Sequence, residues 1–265
     1  RKGEQNLTTE DLYNQFANSY FYFRSKDFFK EKLEIIERNL PDEAKYLAKI
    51  RLNASIFPIE EWDFEMVVDE GLIFSSIEFL YDHVSKPGPL ENFTDGGYNY
   101  TDYAFYETKP GQKEYRETVN IFLSDYSEGY ELSKDGEILR TGNDGLENIL
   151  GANIEEYDFE NVDLKVKEAV HTWKSRNASL NDKKQAISEL ANVFEWLRKT
   201  DKLSKALNKK DENDLFKIAN KFAIRHHNPD QKTNYDEKIW YSWMFHFYLA
   251  SYHAVIRILK KKNET

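Results

Sequence analysis

Along most of the chain the apolar side chains return every three or four positions, the spacing of a helix with one buried face. Leu12, Phe16, Tyr20 and Phe23 set this rhythm first, behind Thr8 or Thr9 as N-cap and Glu10 and Asp11 in the first turn. The spacing predicts further helices over Asp27–Asn39, from Pro41 and Asp42 to Leu52, over Glu70–Val84 and over Gln112–Tyr126. Between the last two, Glu91–Gly111 is rich in Tyr, Asn and Gly and reads as a loop. One β-hairpin is expected near 129–140, around Ser133-Lys134-Asp135-Gly136, whose Asp-Gly ending is a turn signal. Four more amphipathic helices follow, over Val162–Arg176, Ser179–Arg198, Asp211–His227 and Glu237–Lys262. The last is apolar nearly all round, which predicts a place at the centre of its neighbours. The expectation is therefore a mainly α protein: a helical N-terminal region with one hairpin, then an antiparallel four-helix C-terminal bundle.

Charge divides the chain as the pattern does. Up to Phe159 there are 16 basic and 33 acidic side chains; from Glu160 onward there are 21 basic and 14 acidic. Two domains are expected, an acidic one over 1–159 and a basic one over 160–265, with the acidic run before Glu160 as the boundary. An anionic partner such as RNA is attracted by the second and repelled by the first.

Cysteine is absent, which removes disulfides, thiolate metal sites and a Cys nucleophile together. No apolar run approaches the ~20 residues of a membrane span, so no membrane partner is expected and the expected location is cytoplasmic. Two acidic groups invite a metal reading. Glu60, Glu61, Asp63 and Glu65 surround Trp62, and Asp95 precedes Glu107-Thr108-Lys109 as metal nucleases place their carboxylates and lysine. Neither carries EF-hand or His-carboxylate spacing, and no metal or small-molecule cofactor is expected.

Titratable chemistry concentrates elsewhere: four of the six histidines lie between His226 and His253. Arg225, His226, His227 and Asn228 close the third C-terminal helix, while Trp243, His246, Ala250, His253 and Arg257 share one face of the fourth. Imidazoles beside guanidinium suit metal-free RNA cleavage: a histidine takes the 2′-OH proton and Arg holds the phosphate bidentately. The alternative is structural, a His capping the last turn of a helix or hydrogen-bonded inside an aromatic core.

From Val162 onward, and above all in ELANVFEWLR, DENDLFKIANKFAIRHHN and the aromatic last helix, the chain resembles the HEPN-type helical domains of bacterial toxin–antitoxin and phage-defence proteins. The resemblance implies a helical bundle that acts on RNA, commonly as a homodimer, through an Arg followed four to six residues later by His. Here that spacing runs from Lys221 to His226 or His227, with Lys where the family has Arg. It implies Arg225, His226 and His227 as the catalytic group and Lys221, Asn228 and Arg257 as RNA contacts. A HEPN-like fold that binds RNA or protein without cleaving, a dimeric scaffold, accommodates the same residues.

Overall fold

The structure, a computed structural model, describes residues 7–36, 39–62, 69–127, 129–142, 146–221 and 235–263. It is mainly helical with small antiparallel sheets, and it divides into two compact units, Arg1–Leu139 and Arg140–Thr265, each with its own hydrophobic core. The charge boundary expected at Glu160 lies inside the second unit, which takes in the acidic residues from Asp144.

In the first unit α1 (Thr9–Ser25) begins as its sequence dictates. The Thr8 hydroxyl accepts the Asp11 N–H while the Asp11 carboxylate accepts the Thr8 N–H, a reciprocal capping box. The helix expected over Asp27–Asn39 does not form. Only one turn, α2 (Lys30–Leu33), is present, because Asp27 and Glu34 both take left-handed backbone (φ 59° and 53°) that no α-helix continues through. Phe28, Phe29, Leu33 and Ile35 are nevertheless buried in the core of this unit. Then come α3 (Asp42–Leu52), a 3₁₀ turn at Ile59–Glu61 and α4 (Glu70–His83).

The expected loop at 91–111 is largely strand and helix. Lys86–Pro87 (β1) pairs with Tyr106–Glu107 (β4), and between them β2 (Leu90–Asp95) and β3 (Tyr98–Tyr103) form an antiparallel ribbon of six facing pairs, Leu90 opposite Tyr103 and Asp95 opposite Tyr98. Gly96 and Gly97 make the turn, both at positive φ, where a side chain would be strained. The strands escape a hydrophobic-pattern reading because both faces are largely exposed and neither is packed as an apolar core face. Next comes α5 (Thr108–Leu123), which tolerates Pro110 because a first-turn N–H has no intrahelical acceptor to lose. Helices α1, α4 and α5 enclose Phe16, Tyr20, Phe23, Phe74, Leu80, Tyr115 and Val119. The expected hairpin closes the unit as β5 (Tyr130–Leu132) and β6 (Ile138–Arg140), with Gly136 at positive φ.

The second unit holds α6 (Glu147–Leu150), a π-helical turn over Phe159–Asp163 that runs into α7 (Leu164–Lys174), then α8 (Leu180–Lys199), α9 (Leu203–Ala206), α10 (Lys209–Lys221) and α11 (Glu237–Asn263). Helix α8 packs on α7, α10 and α11, and Ile187, Leu190, Phe194, Phe245, Tyr248 and Tyr252 lie at the core. Despite its apolar sequence α11 is one-sided: Tyr241, Met244, Phe245, Tyr248 and Tyr252 are buried, whereas Ile239, Trp240, Trp243 and Ala250 are exposed. No helix among the described residues is long and apolar enough to cross a membrane.

Candidate functional site

Arg225, His226, His227 and Asn228 lie outside the described residues. Lys221 is the last described residue of α10, and its side chain also lies outside them. The Asn208 side-chain oxygen accepts the Lys210 and Asp211 N–H groups (both 3.0 Å), capping the start of α10. Leu215 and Phe216 are buried, and the Arg198 guanidinium carbon sits 4.1 Å from the centre of the Phe216 ring. The buried Tyr248 hydroxyl donates to the Leu215 carbonyl at 2.8 Å, tying α10 to α11.

On α11 the histidines belong to the packing. His246 is 8% exposed; its Nδ1–H donates to the Ser242 carbonyl (2.7 Å), and Trp173 and Phe245 meet it edge-on at 5.9 and 5.8 Å. Its Nε2 is buried with no hydrogen-bond partner. Burial lowers its pKa against the weaker opposing pull of the Ser242 carbonyl, so the ring is neutral at pH 7. His253 is half-buried, its Nε2 likewise without a partner, and its pKa is lowered first by burial and then by the Arg257 charge, with Glu155 opposing.

Arg257 is exposed, but its charge is engaged: Nε donates to Glu155 Oε1 at 3.2 Å, and Lys260 Nζ meets Glu155 Oε2 at 3.4 Å. Desolvation works to raise the Glu155 carboxyl's pKa, yet the bonds from Arg257 and Lys260 outweigh it and hold it below the usual range. Deeper in the unit stands Asp163, 1% exposed, at the end of the π-helical turn. Its Oδ2 accepts the Tyr157 N–H at 2.9 Å; its Oδ1 and the Tyr252 hydroxyl are buried without a hydrogen bond. Burial, reinforced by the Asp163 charge, pushes the Tyr252 pKa far up. Sequence reasoning gathered His253 and Arg257 but missed Glu155 and Asp163, the carboxylates that complete the cluster. They lie about a hundred residues away in sequence, and no local pattern links them.

A second feature missed by the sequence reading is a cleft of about 480 Å³ in the first unit, lined by Arg51, Leu52, Ser75, Glu78, Phe79, Asp82 and His83. The His83 Nδ1–H donates to the Phe79 carbonyl at 2.7 Å, and the ring lies 4.3 Å from that of Phe79. Burial lowers its pKa, and the Lys32 and Arg51 charges push the same way. The i to i+4 spacing of Phe79 and His83 in the last turn of α4 was the only signal available.

The two acidic groups do not assemble a metal centre among the described residues. Asp95 sits on the β2–β3 ribbon and Glu107 on the separate β1–β4 pair, so the strands needed for a nuclease pair do not adjoin. Glu60 is within reach of Arg24 (3.5 Å), and Asp63 and Glu65 lie outside the described residues. No group of three His, Asp or Glu among the described residues could hold a metal ion. Compared with protein-family models, curated proteins and solved structures, the chain matches none.

Proposed function

We propose that this chain is a HEPN-like, defence-type protein that acts on RNA as a metal-independent endoribonuclease, with α7, α8, α10 and α11 as an antiparallel four-helix bundle. In this reading Arg225 holds the scissile phosphate through its planar fork, and His226 or His227 takes the 2′-OH proton. The 2′-oxygen then attacks phosphorus, the P–O5′ bond breaks, and the 5′-oxygen leaves with the proton that the imidazolium returns. Lys221, Asn228 and Arg257 bind the RNA backbone, Arg257 once an RNA phosphate displaces Glu155. The chain would work in the cytoplasm, where RNA is available, with no cofactor.

The observation that supports this most is the anchoring of α10. A buried tyrosine hydroxyl and two buried apolar residues fix the helix whose sequence runs directly into Arg225-His226-His227. The histidines of α11 are by contrast held in the packing, His246 buried and His253 half-buried. Incubation of the purified protein with total RNA in EDTA tests the reading. Cleavage by wild type but not by His226→Ala/His227→Ala is expected; absence of cleavage by both, or equal cleavage by both, overturns it.

One observation favours a second reading, a non-catalytic dimeric scaffold. Ile239 is 66% exposed and Trp243 44%, on the same half of α11. Large apolar exposure of this kind marks protein contacts. Sedimentation equilibrium separates the readings: a dimer that Trp243→Glu dissociates, in a protein without cleavage, favours the scaffold.

A further inference from the structure

The β2–β3 ribbon carries a composition unlike the rest of the chain. Residues 87–108 include six aromatic rings and four carboxylates, and no Lys or Arg. Antiparallel pairing sorts these by face. Glu91, Phe93 and Asp95 on β2 stand on the same side as Asp102, Tyr100 and Tyr98 on β3. The other side carries Leu90 and Tyr103 at the base and is polar toward the turn, with Thr94 donating to Asn99 at 2.7 Å and Thr101 to Asn92 at 2.8 Å. On the acidic side Phe93 and Tyr100 stack across the strands at 5.6 Å, flanked by Glu91 and Asp95, while Tyr98 is 81% and Tyr100 50% exposed. A two-stranded ribbon with both faces in water buries too little to be stable alone, so rings held in the open need another reason.

The base of the ribbon shows what such a surface holds. Lys30, on α2, puts its ammonium on the Asp102 carboxylate (2.5 Å) and 5.5 Å from the centre of the Tyr103 ring. Those contacts, and the Tyr103 hydroxyl on Asp27 at 3.0 Å, fix the ribbon to its unit. Toward the tip the Glu91 and Asp95 carboxylates stand on the Asp102 side of the ribbon, there together with the Phe93, Tyr98 and Tyr100 rings, whereas Tyr103 belongs to the other side. A lysine or arginine stem lies along a ring while its charged head meets the carboxylate. Side chains on one face of an extended peptide recur at the same two-residue interval as those of the ribbon face.

We propose that the face formed by Glu91, Phe93, Asp95, Tyr98 and Tyr100 docks an extended, lysine- or arginine-rich segment of a partner protein. This surface is independent of the RNA reading of the second unit. It would repel RNA, so the two ligands do not compete for it.

Fluorescence anisotropy with the full chain tests the proposal, using a labelled nonapeptide of alternating Lys and Thr and its Glu counterpart. The Lys peptide binds, with affinity that falls as salt rises, and the Glu peptide does not. Glu91→Lys/Asp95→Lys weakens binding by about tenfold or more. Tyr98→Ser/Tyr100→Ser, which leaves the charge intact, also weakens it severalfold. Glu43→Lys/Glu117→Lys makes the same charge change on exposed helix surfaces of the same unit and stays within about twofold of wild type. Circular dichroism confirms that each variant folds. Failure of wild type to bind, or an equal loss in the helix-surface control, overturns the proposal. So does concentration-dependent self-association that the ribbon variants abolish, which would assign the face to a second copy of this chain.

Discussion

The two units of this chain use aromatic residues in opposite ways. In the first, with 15 basic and 28 acidic side chains, the rings of Tyr20, Phe23, Phe29 and Tyr115 fill a core enclosed by α1, α4 and α5, and a second set stands in water on the ribbon. In the second, with 22 basic and 19 acidic, aromatic residues of α7 and α11 enclose one histidine and part of another. The lesson is that chemistry-bearing residues must be separated from packing residues by burial and partner, because residue type and helical spacing alone put both in one class. His246 shares a helix face with His253 and Arg257 on the sequence, where a core role and a catalytic one both fit, and in the structure it is a core residue; Tyr98 looks like a loop residue and stands on an exposed strand.

The largest effect that tests this contrast is expected in the first unit's packing. A Cβ on Gly111 would meet the Lys86 nitrogen at 2.6 Å and the Ser85 carbonyl carbon at 2.8 Å, both backbone, where α5 crosses β1. Gly111→Ala is expected to cost about 1–3 kcal/mol, read from denaturant unfolding. A neutral result would mean that this crossing is looser than the geometry implies.

Acid stability sharpens the histidine side. The pKa values of His83, His246 and His253 are each lowered in the folded state, burial being the leading cause, so the unfolded chain binds protons that the native state refuses. Their contribution is complete above the ordinary histidine pKa and is lost as pH falls from about 6.5 toward the depressed folded values. Melting temperature is therefore expected to drop between about pH 7 and 5, above the carboxylate range. His246→Phe, which removes a buried ring nitrogen lacking a partner, is expected to make that drop shallower. An unchanged slope would show that His246 does not carry it.

Much of the fold was legible because its signals are local. The Thr8 cap, the start of a helix at Ser179 and the Asp135-Gly136 turn each act within a few residues, and each is present. The Asp27–Asn39 helix was misread because apolar spacing cannot register left-handed backbone at Asp27 and Glu34. The ribbon was missed because its short alternation of aromatic and polar residues marks no buried face, both sides of the strands being largely exposed. The second unit's polar cluster was half legible: His253 and Arg257 are four apart on one helix, whereas Asp163 and Glu155 arrive by tertiary packing alone.

The smallest effect concerns Arg257. Glu155 engages both Arg257 and Lys260, and on the proposed RNA reading that engagement competes with phosphate. Glu155→Gln is expected to tighten RNA binding and to steepen the slope of log affinity against log salt by up to about one. No change in either would remove Arg257 from the RNA surface.

The contrast between packing histidines and chemical ones is tested most directly by single-turnover RNA cleavage in EDTA, with His246→Phe and His226→Ala/His227→Ala assayed beside wild type at matched folded fractions. Cleavage that survives in His246→Phe and disappears in His226→Ala/His227→Ala is the predicted result. Cleavage lost in His246→Phe, or retained in the double variant, would contradict it.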